Sequence, residues 1–202
     1  MKPCYLLVIL GISTITVSAH DFVIPPHKTN MHYVIRQAAF DCGPAALATL
    51  LHFYFGIPTT KAEAMRLTGH RAREGTTLLG LEKAARAKGC TAGSFRMTFQ
   101  TLEKQLATHG TPVIVRTWPP HFSVVLAVRD GFVYVADPAA GNIVLTKAAF
   151  VKRWYIRDSS EGFVCVVAFP ARCANTNRIA TVVHELQQSR ARAGERHRHH
   201  HH

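Results

Sequence analysis

Acidic residues are scarce in this sequence: twelve Asp and Glu stand against twenty-four Lys and Arg, a formal charge of +12. Lys2 contributes one of those charges and the last thirty-two residues four, from six Arg against two Glu, so the middle of the chain keeps about +7. That balance favours acidic partners or anionic surfaces over basic ones. Nucleic acid is not among the expected partners. The basic residues are scattered, no aromatic-interleaved basic stripe accompanies them, and no zinc-finger, RRM or helix-turn-helix signature is present. Long apolar runs are missing too. The longest candidate, Tyr5 to Ile12 inside MKPCYLLVILGISTITVSA, falls short of the ~20 residues that cross a bilayer. With Lys2 ahead of it and small residues at Val17 and Ala19 behind it, the stretch 1–19 reads as a secretory signal cleaved after Ala19. A membrane contact is expected only through this segment, should it stay uncleaved. No internal repeat is visible.

Cysteine is sparse, five in 202 residues. Export places Cys42, Cys90, Cys165 and Cys173 in an oxidising compartment, where three pairings exist and spacing chooses none of them. The chain holds apolar residues enough to fold as one core without such staples.

Residues 20–30 (HDFVIPPHKTN) read as an extended lead-in, and Val34 and Ile35 as the start of a strand. Past them the pattern is helical. Asp41 is positioned to cap a helix and Pro44 suits its first turn. Leu47, Leu50, Leu51 and Tyr54 then recur at helical spacing until Gly56. Thr60 to Leu67, Thr76 to Lys88 and Phe99 to Thr108 give three further helices, each followed by a glycine. The texture then changes to β-branched and aromatic runs: Pro112–Thr117, His121–Arg129, Phe132–Ala136, Ile143–Leu145 and Phe163–Phe169. Asp130-Gly131 marks a hairpin between the second and third. The expectation is an α+β fold, N-terminal helices packed on a C-terminal antiparallel β-sheet, with the helices segregated to one side. Residues 171–202, with a short helix at Ile179 to Ser189 and a basic, His-rich end, are set apart as a tail.

Four residues carry the chemistry. Cys42 stands where a helix N-terminus stabilises a thiolate through free N–H groups and the positive dipole end. Cys90, Cys165 and Cys173 read as inert thiols. A nucleophile needs a base, and His27, His32, His52, His70, His109 and His121 are the choices. His52 lies ten residues along the same helix, roughly 15 Å away. His121 follows the rigid Trp118-Pro119-Pro120 and opens a strand whose hairpin partner ends in Asp137. The hairpin makes the two cross-strand neighbours, close enough for a carboxylate to hold an imidazole. Asp137 before Pro138 also reads as a turn residue, and both readings hold together. Gln37 is the side-chain amide upstream of Cys42 that could share an oxyanion with the Cys42 N–H.

Gln37 with DCGPAALATLL, then GTTLLGLEKAARAKG, PVIVRT, HFSVV, VADPAAG and the block Phe150 to Trp154, in that order over residues 31–170, together resemble the C39 family of cysteine peptidases. The resemblance implies a papain-like fold and cleavage of exported peptides after small or Gly-Gly sites. It implies Cys42 as nucleophile, His121 as base, Asp137 as its orienting partner and Gln37 as oxyanion donor. No metal or organic cofactor is required. Implied partners are a peptide or protein with an extended segment and secretion machinery, and the implied location is the bacterial envelope, periplasmic or secreted. Two departures stand out. The family's Gln is more often six residues before its Cys, whereas here it is five. The exporter parts of the family, a Walker A motif and a multi-span membrane region, are missing from this sequence. The rival expectation is a non-cleaving module of the same fold that binds a leader, and a third is acyl transfer to an amine by the same residues.

Overall fold

Strands from both halves of the chain form one seven-stranded sheet, antiparallel throughout, in the order β1-β6-β5-β4-β3-β7-β2. The structure, a computed structural model, describes residues 22–24, 30–169 and 174–199. The strands are β1 (Phe22–Ile24), β2 (Thr91–Met97), β3 (Val113–Thr117), β4 (His121–Arg129), β5 (Phe132–Asp137), β6 (Gly141–Thr146) and β7 (Gly162–Ala168). The helices are α1 (Cys42–Thr49), which widens into a π-helical turn over Leu50–Tyr54, α2 (Lys61–Thr68), α3 (Leu78–Ala87), α4 (Phe99–His109), α5 (Lys147–Trp154) and α6 (Thr176–His199). The expected signal segment, residues 1–19, lies outside the described residues, as does Cys173. Among the described residues no helix is long and apolar enough to cross a membrane.

The α+β class is as the sequence indicates, but the helices are not confined to one side. Leu47, Leu50 and Leu51 of the first helix, Leu81 of α3 and Leu186 of α6 pack on one face of the sheet. Phe99 and Leu102 of α4 and Phe150 and Trp154 of α5 pack on the other. Strands buried on both faces need cover on both, and the unbroken apolar run of β4 is the local sign of it. β2 is an unexpected strand between two helices. Its pattern TAGSFRM lacks apolar alternation because it is an edge, paired only with β7. Val34 and Ile35 form no strand; the short strand of this region is β1, which pairs with β6.

The tail set apart at 171–202 is corrected most. Ile179, Val182, Val183 and Leu186 recur at helical spacing and are buried in the main core, so α6 belongs to the folded body. α1 itself is helical by composition, with Ala and Leu at half of its positions and Pro44 in the first turn, where no N–H is needed. Leu47, Leu50, Leu51 and Tyr54 are at most 1 % exposed. Each such side chain contributes about 2 kcal/mol of burial, which fixes the helix that begins at Cys42 against the sheet.

Candidate active site

Helix starts explain where Cys42 comes to lie. Thr60, Thr77, Thr98 and Thr146 each cap their helix, the hydroxyl accepting from the N–H three residues on at 3.0–3.2 Å. α1 breaks the pattern. Asp41 occupies its cap position, but at φ −103° and ψ 23° the carboxylate points backwards and makes no cap bond. One carboxylate oxygen instead accepts from the Ala38 N–H at 2.6 Å, and the other pairs with Lys61 Nζ at 2.9 Å. Lys61 also donates to the Arg36 carbonyl at 3.1 Å. The expected capping role of Asp41 is thus replaced by a brace across the 36–41 loop. The first-turn N–H groups of α1 stay uncapped beside the thiol.

Cys42 is partly buried, and the His121 ring and the backbone of Phe122 and Gly43 stabilise its thiolate. Gly43 is tightly packed: a Cβ there would stand 3.1 Å from Thr76 Cβ and 3.2 Å from the Phe122 ring. The Gly75–Thr77 loop and β4 therefore close directly on the start of α1. Burial raises the Cys42 thiol pKa, but the His121 bond, the backbone bonds and the imidazolium charge outweigh it, and the net shift is downward.

His121 opens β4, where Thr117 pairs with it across the Trp118-Pro119-Pro120 turn. Its Nε2 lies 2.8 Å from Asp137 Oδ2. The other nitrogen, Nδ1, is left for Cys42. Burial depresses the imidazole pKa, yet the bonds to Asp137 and Cys42 and their charges reverse this and push it up to about 10. Asp137 is 8 % exposed. Burial raises its pKa, and the His121 bond and charge with the Ala140 and Ala139 N–H groups hold it below the usual carboxylate range. Its second oxygen accepts from those two N–H groups at 2.8 and 2.9 Å, so Asp137 is a turn residue and a histidine partner at once.

His121 and Asp137 are not directly opposite, as the hairpin alone suggested. β4 pairs with β5 as Val128↔Val133 and Ala127↔Tyr134, then as Val125↔Val135 and Val124↔Ala136. A bulge at Leu126 absorbs one residue. Continuing the shifted register sets Asp137 opposite Ser123, on the face that His121 shares, and makes the pair diagonal neighbours. Without the bulge Asp137 would face Val124, on the other side of the sheet.

Gln37 is tied to this corner by its backbone N–H, which donates to the Pro138 carbonyl at 2.9 Å. Its amide oxygen is buried with no hydrogen-bond partner among the described residues. The structure thus brings Cys42, His121 and Asp137 into contact and anchors Gln37 beside the turn that follows Asp137. Cys90 and Cys165 are buried free thiols with pKa values raised by burial, that of Cys165 to about 12. His52 and His109 are exposed, and His70 lies against Thr76 at 3.3 Å. Lys61 was not among the residues singled out from sequence. It stands nineteen positions past Cys42 with no motif to mark it.

Comparison with known proteins bears on the family and the fold. The Peptidase C39 family model matches residues 30–156. The chain belongs to the peptidase C39 family. An uncharacterised protein of Methanothermobacter marburgensis is 36% identical over 123 residues, covering 59% of this chain and 80% of that protein. The probable functional amyloid protease FapD of Pseudomonas aeruginosa is 28% identical over 127 residues, and the match spans 60% of this chain and 56% of FapD. Among solved structures, a double glycine motif protease from an AMS/PCAT transporter, bound to leader peptide, superposes with a TM-score of 0.57 at 26% identity over 67% of this chain and 89% of its own. The peptidase domain of Streptococcus ComA does so with 0.58 at 25% identity over 68% and 98%. A peptidase role follows for this C39 member.

Proposed function

We propose that the chain is a thiol endopeptidase in which Cys42 is the nucleophile, His121 the general acid and base, Asp137 the group that holds the imidazole, and Gln37 an oxyanion donor. The observation that carries this is the His121 Nε2 to Asp137 contact at 2.8 Å, with Nδ1 left toward a thiol at a helix start. The Cys42 thiolate attacks a peptide carbonyl, and the oxyanion is held by the Cys42 N–H and by the Gln37 amide turned to present its NH₂. His121 gives its proton to the departing amine. It then takes one from the water that releases the acyl group from sulfur.

Substrates are extended peptides with small residues, such as Gly-Gly, before the cut. Closure of the Gly75–Thr77 loop on Gly43 supports a narrow approach to Cys42, and the solved relative is a double glycine motif protease. The likeness to FapD supports an exported protein that serves a secretion system, in the periplasm or outside the cell. The non-cleaving reading is less favoured, because thiol, imidazole and carboxylate are all present and in contact.

The test is a thiol-directed activity probe and a fluorogenic Gly-Gly peptide applied to wild type and Cys42→Ala. Wild type labels and cleaves, whereas Cys42→Ala does neither. Equal labelling of the variant ends the assignment of Cys42. Mass spectrometry of the products separates hydrolysis from transfer to an amine.

A further inference from the structure

A cavity of about 610 Å³ that the mechanism does not use opens beside β3 and α5. Arg116, Lys152 and Arg157 line it, and no acidic side chain does. None of the three has an acidic partner within ion-pair distance among the described residues. Glu161, close in sequence, is engaged by Arg96 at 3.1 Å. Trp118, 61 % exposed, and Tyr155 supply apolar walls. Three cations gathered without a counter-charge repel one another, and an anionic ligand relieves that repulsion. The aromatic walls lower the local dielectric and strengthen the contact.

The cavity's position assigns its ligand. Thr117 lines it, and Thr117 is also the residue that pairs with His121 and borders the small hollow behind His121 and Asp137. The sheet order sets β4, with His121, between β5 and β3. The Gln37 segment is tied to Pro138 just past β5, and the cavity is built on the β3 side. Along the sheet, the Gln37 segment thus lies toward β5 and the cavity toward β3, with the strand that carries the imidazole between them. The imidazolium protonates the departing amine, so the segment C-terminal to the scissile bond leaves on the imidazole side.

We propose that this cavity binds an acidic side chain carried by the peptide segment immediately C-terminal to the scissile bond. The proposal rests on the peptidase reading above. Thr117 is common to the cavity and to the hollow at His121, and a sphere of this volume is roughly 10 Å across, the length of about three extended residues, so an acid within the first few positions after the cut is in reach of it.

The test uses C-terminally amidated fluorogenic peptides with Gly-Gly before the cut and either Glu, Gln or Lys at the second and third positions after it. Amidation makes the Glu side chains the only carboxylates of the leaving segment. Wild type is expected to cleave the Glu peptide with a kcat/KM about tenfold above that of the Gln peptide, and the Lys peptide more slowly still. In Lys152→Gln/Arg157→Gln, two exposed positions, the Glu-to-Gln ratio falls to about one while the Gln peptide is cleaved within about twofold of wild type. A wild-type ratio near one, or a ratio that survives the double substitution, overturns the proposal. Fluorescence anisotropy of the same peptides on Cys42→Ala keeps the two readings apart. If wild type cleaves none of them but the Glu peptide still binds through Lys152 and Arg157, the peptidase reading falls and the acidic-ligand assignment stands. Equal binding of Glu and Gln peptides removes the assignment whether or not cleavage occurs.

Discussion

The thiol and the imidazole set each other's charge, and the pH response follows from that. The pKa of His121 is raised to about 10, so its contribution to stability is full below its unfolded value near 6.5 and is lost as pH rises through about 10. The Cys42 and Asp137 values are lowered, so their contributions are present above 9.0 and 3.8 and are lost as pH falls through the folded values. Thiolate and imidazolium therefore coexist in a window that begins below pH 9 and closes near 10. Alkylation of Cys42 by iodoacetamide is expected to persist below pH 9, with an alkaline fall in kcat/KM near pH 10. Asp137→Asn removes the charge that raises the imidazole, so the alkaline limb moves down and kcat falls about 10²–10⁴-fold. A pH profile of both proteins checks this. At this scale the sequence was informative wherever neighbours were local. Cys42 before Gly-Pro, His121 at a strand mouth and Asp137 before Pro138 could be read directly, because a helix start and a hairpin place them. The Asp41–Lys61 brace could not, because a salt bridge across twenty positions of sequence leaves no periodic trace.

Among the elements, the loop from Arg36 to Asp41 depends on that brace. Asp41 is 3 % exposed, and Lys61→Met leaves its carboxylate buried without a cation. The expected cost is about 2 kcal/mol, less than for a wholly buried pair because the Lys61 side chain is 27% exposed. Denaturant unfolding measures it. Asp41→Asn in the same chain restores most of the loss, since Asn still accepts from the Ala38 N–H while the stranded charge is gone. Peptide cleavage by the single variant drops further than its stability does, through loosening of the Gln37 segment. The ends of α2, α3 and α4 were legible because a glycine follows each helical run. β2 and α5 were not read as elements: an edge strand with Gly93, Ser94 and Arg96 shows no alternation, and α5 is only eight residues long. The Leu126 bulge was equally hidden, since both registers of that hairpin bury an apolar run.

Across the whole molecule, two layers of helix enclose the sheet, and α6 closes one of them. Its apolar face was discounted because a basic, His-rich end dominates the segment's composition. Leu186, 2 % exposed, fills the core beside the first helix, and Leu186→Ala is expected to cost about 3 kcal/mol and lower Tm by roughly 6–12 °C. Differential scanning calorimetry reads the shift, while the pH profile of the active site stays where it was, since among the described residues α6 makes no hydrogen bond or ion pair with Gln37, Cys42, His121 or Asp137. β4 and β5 lie in the interior of the sheet, each flanked by strands on both sides, so a slip between them cannot be absorbed at an edge. The Leu126 bulge then imposes a counting rule on the chain. Outside the Asp130-Gly131 turn, which can absorb a change of length without moving the register, residues between His121 and Asp137 can be gained or lost only in even numbers unless the bulge is removed in compensation. An odd change turns the carboxylate to the opposite side of the sheet and separates it from the histidine, with every residue of the site still present in the sequence.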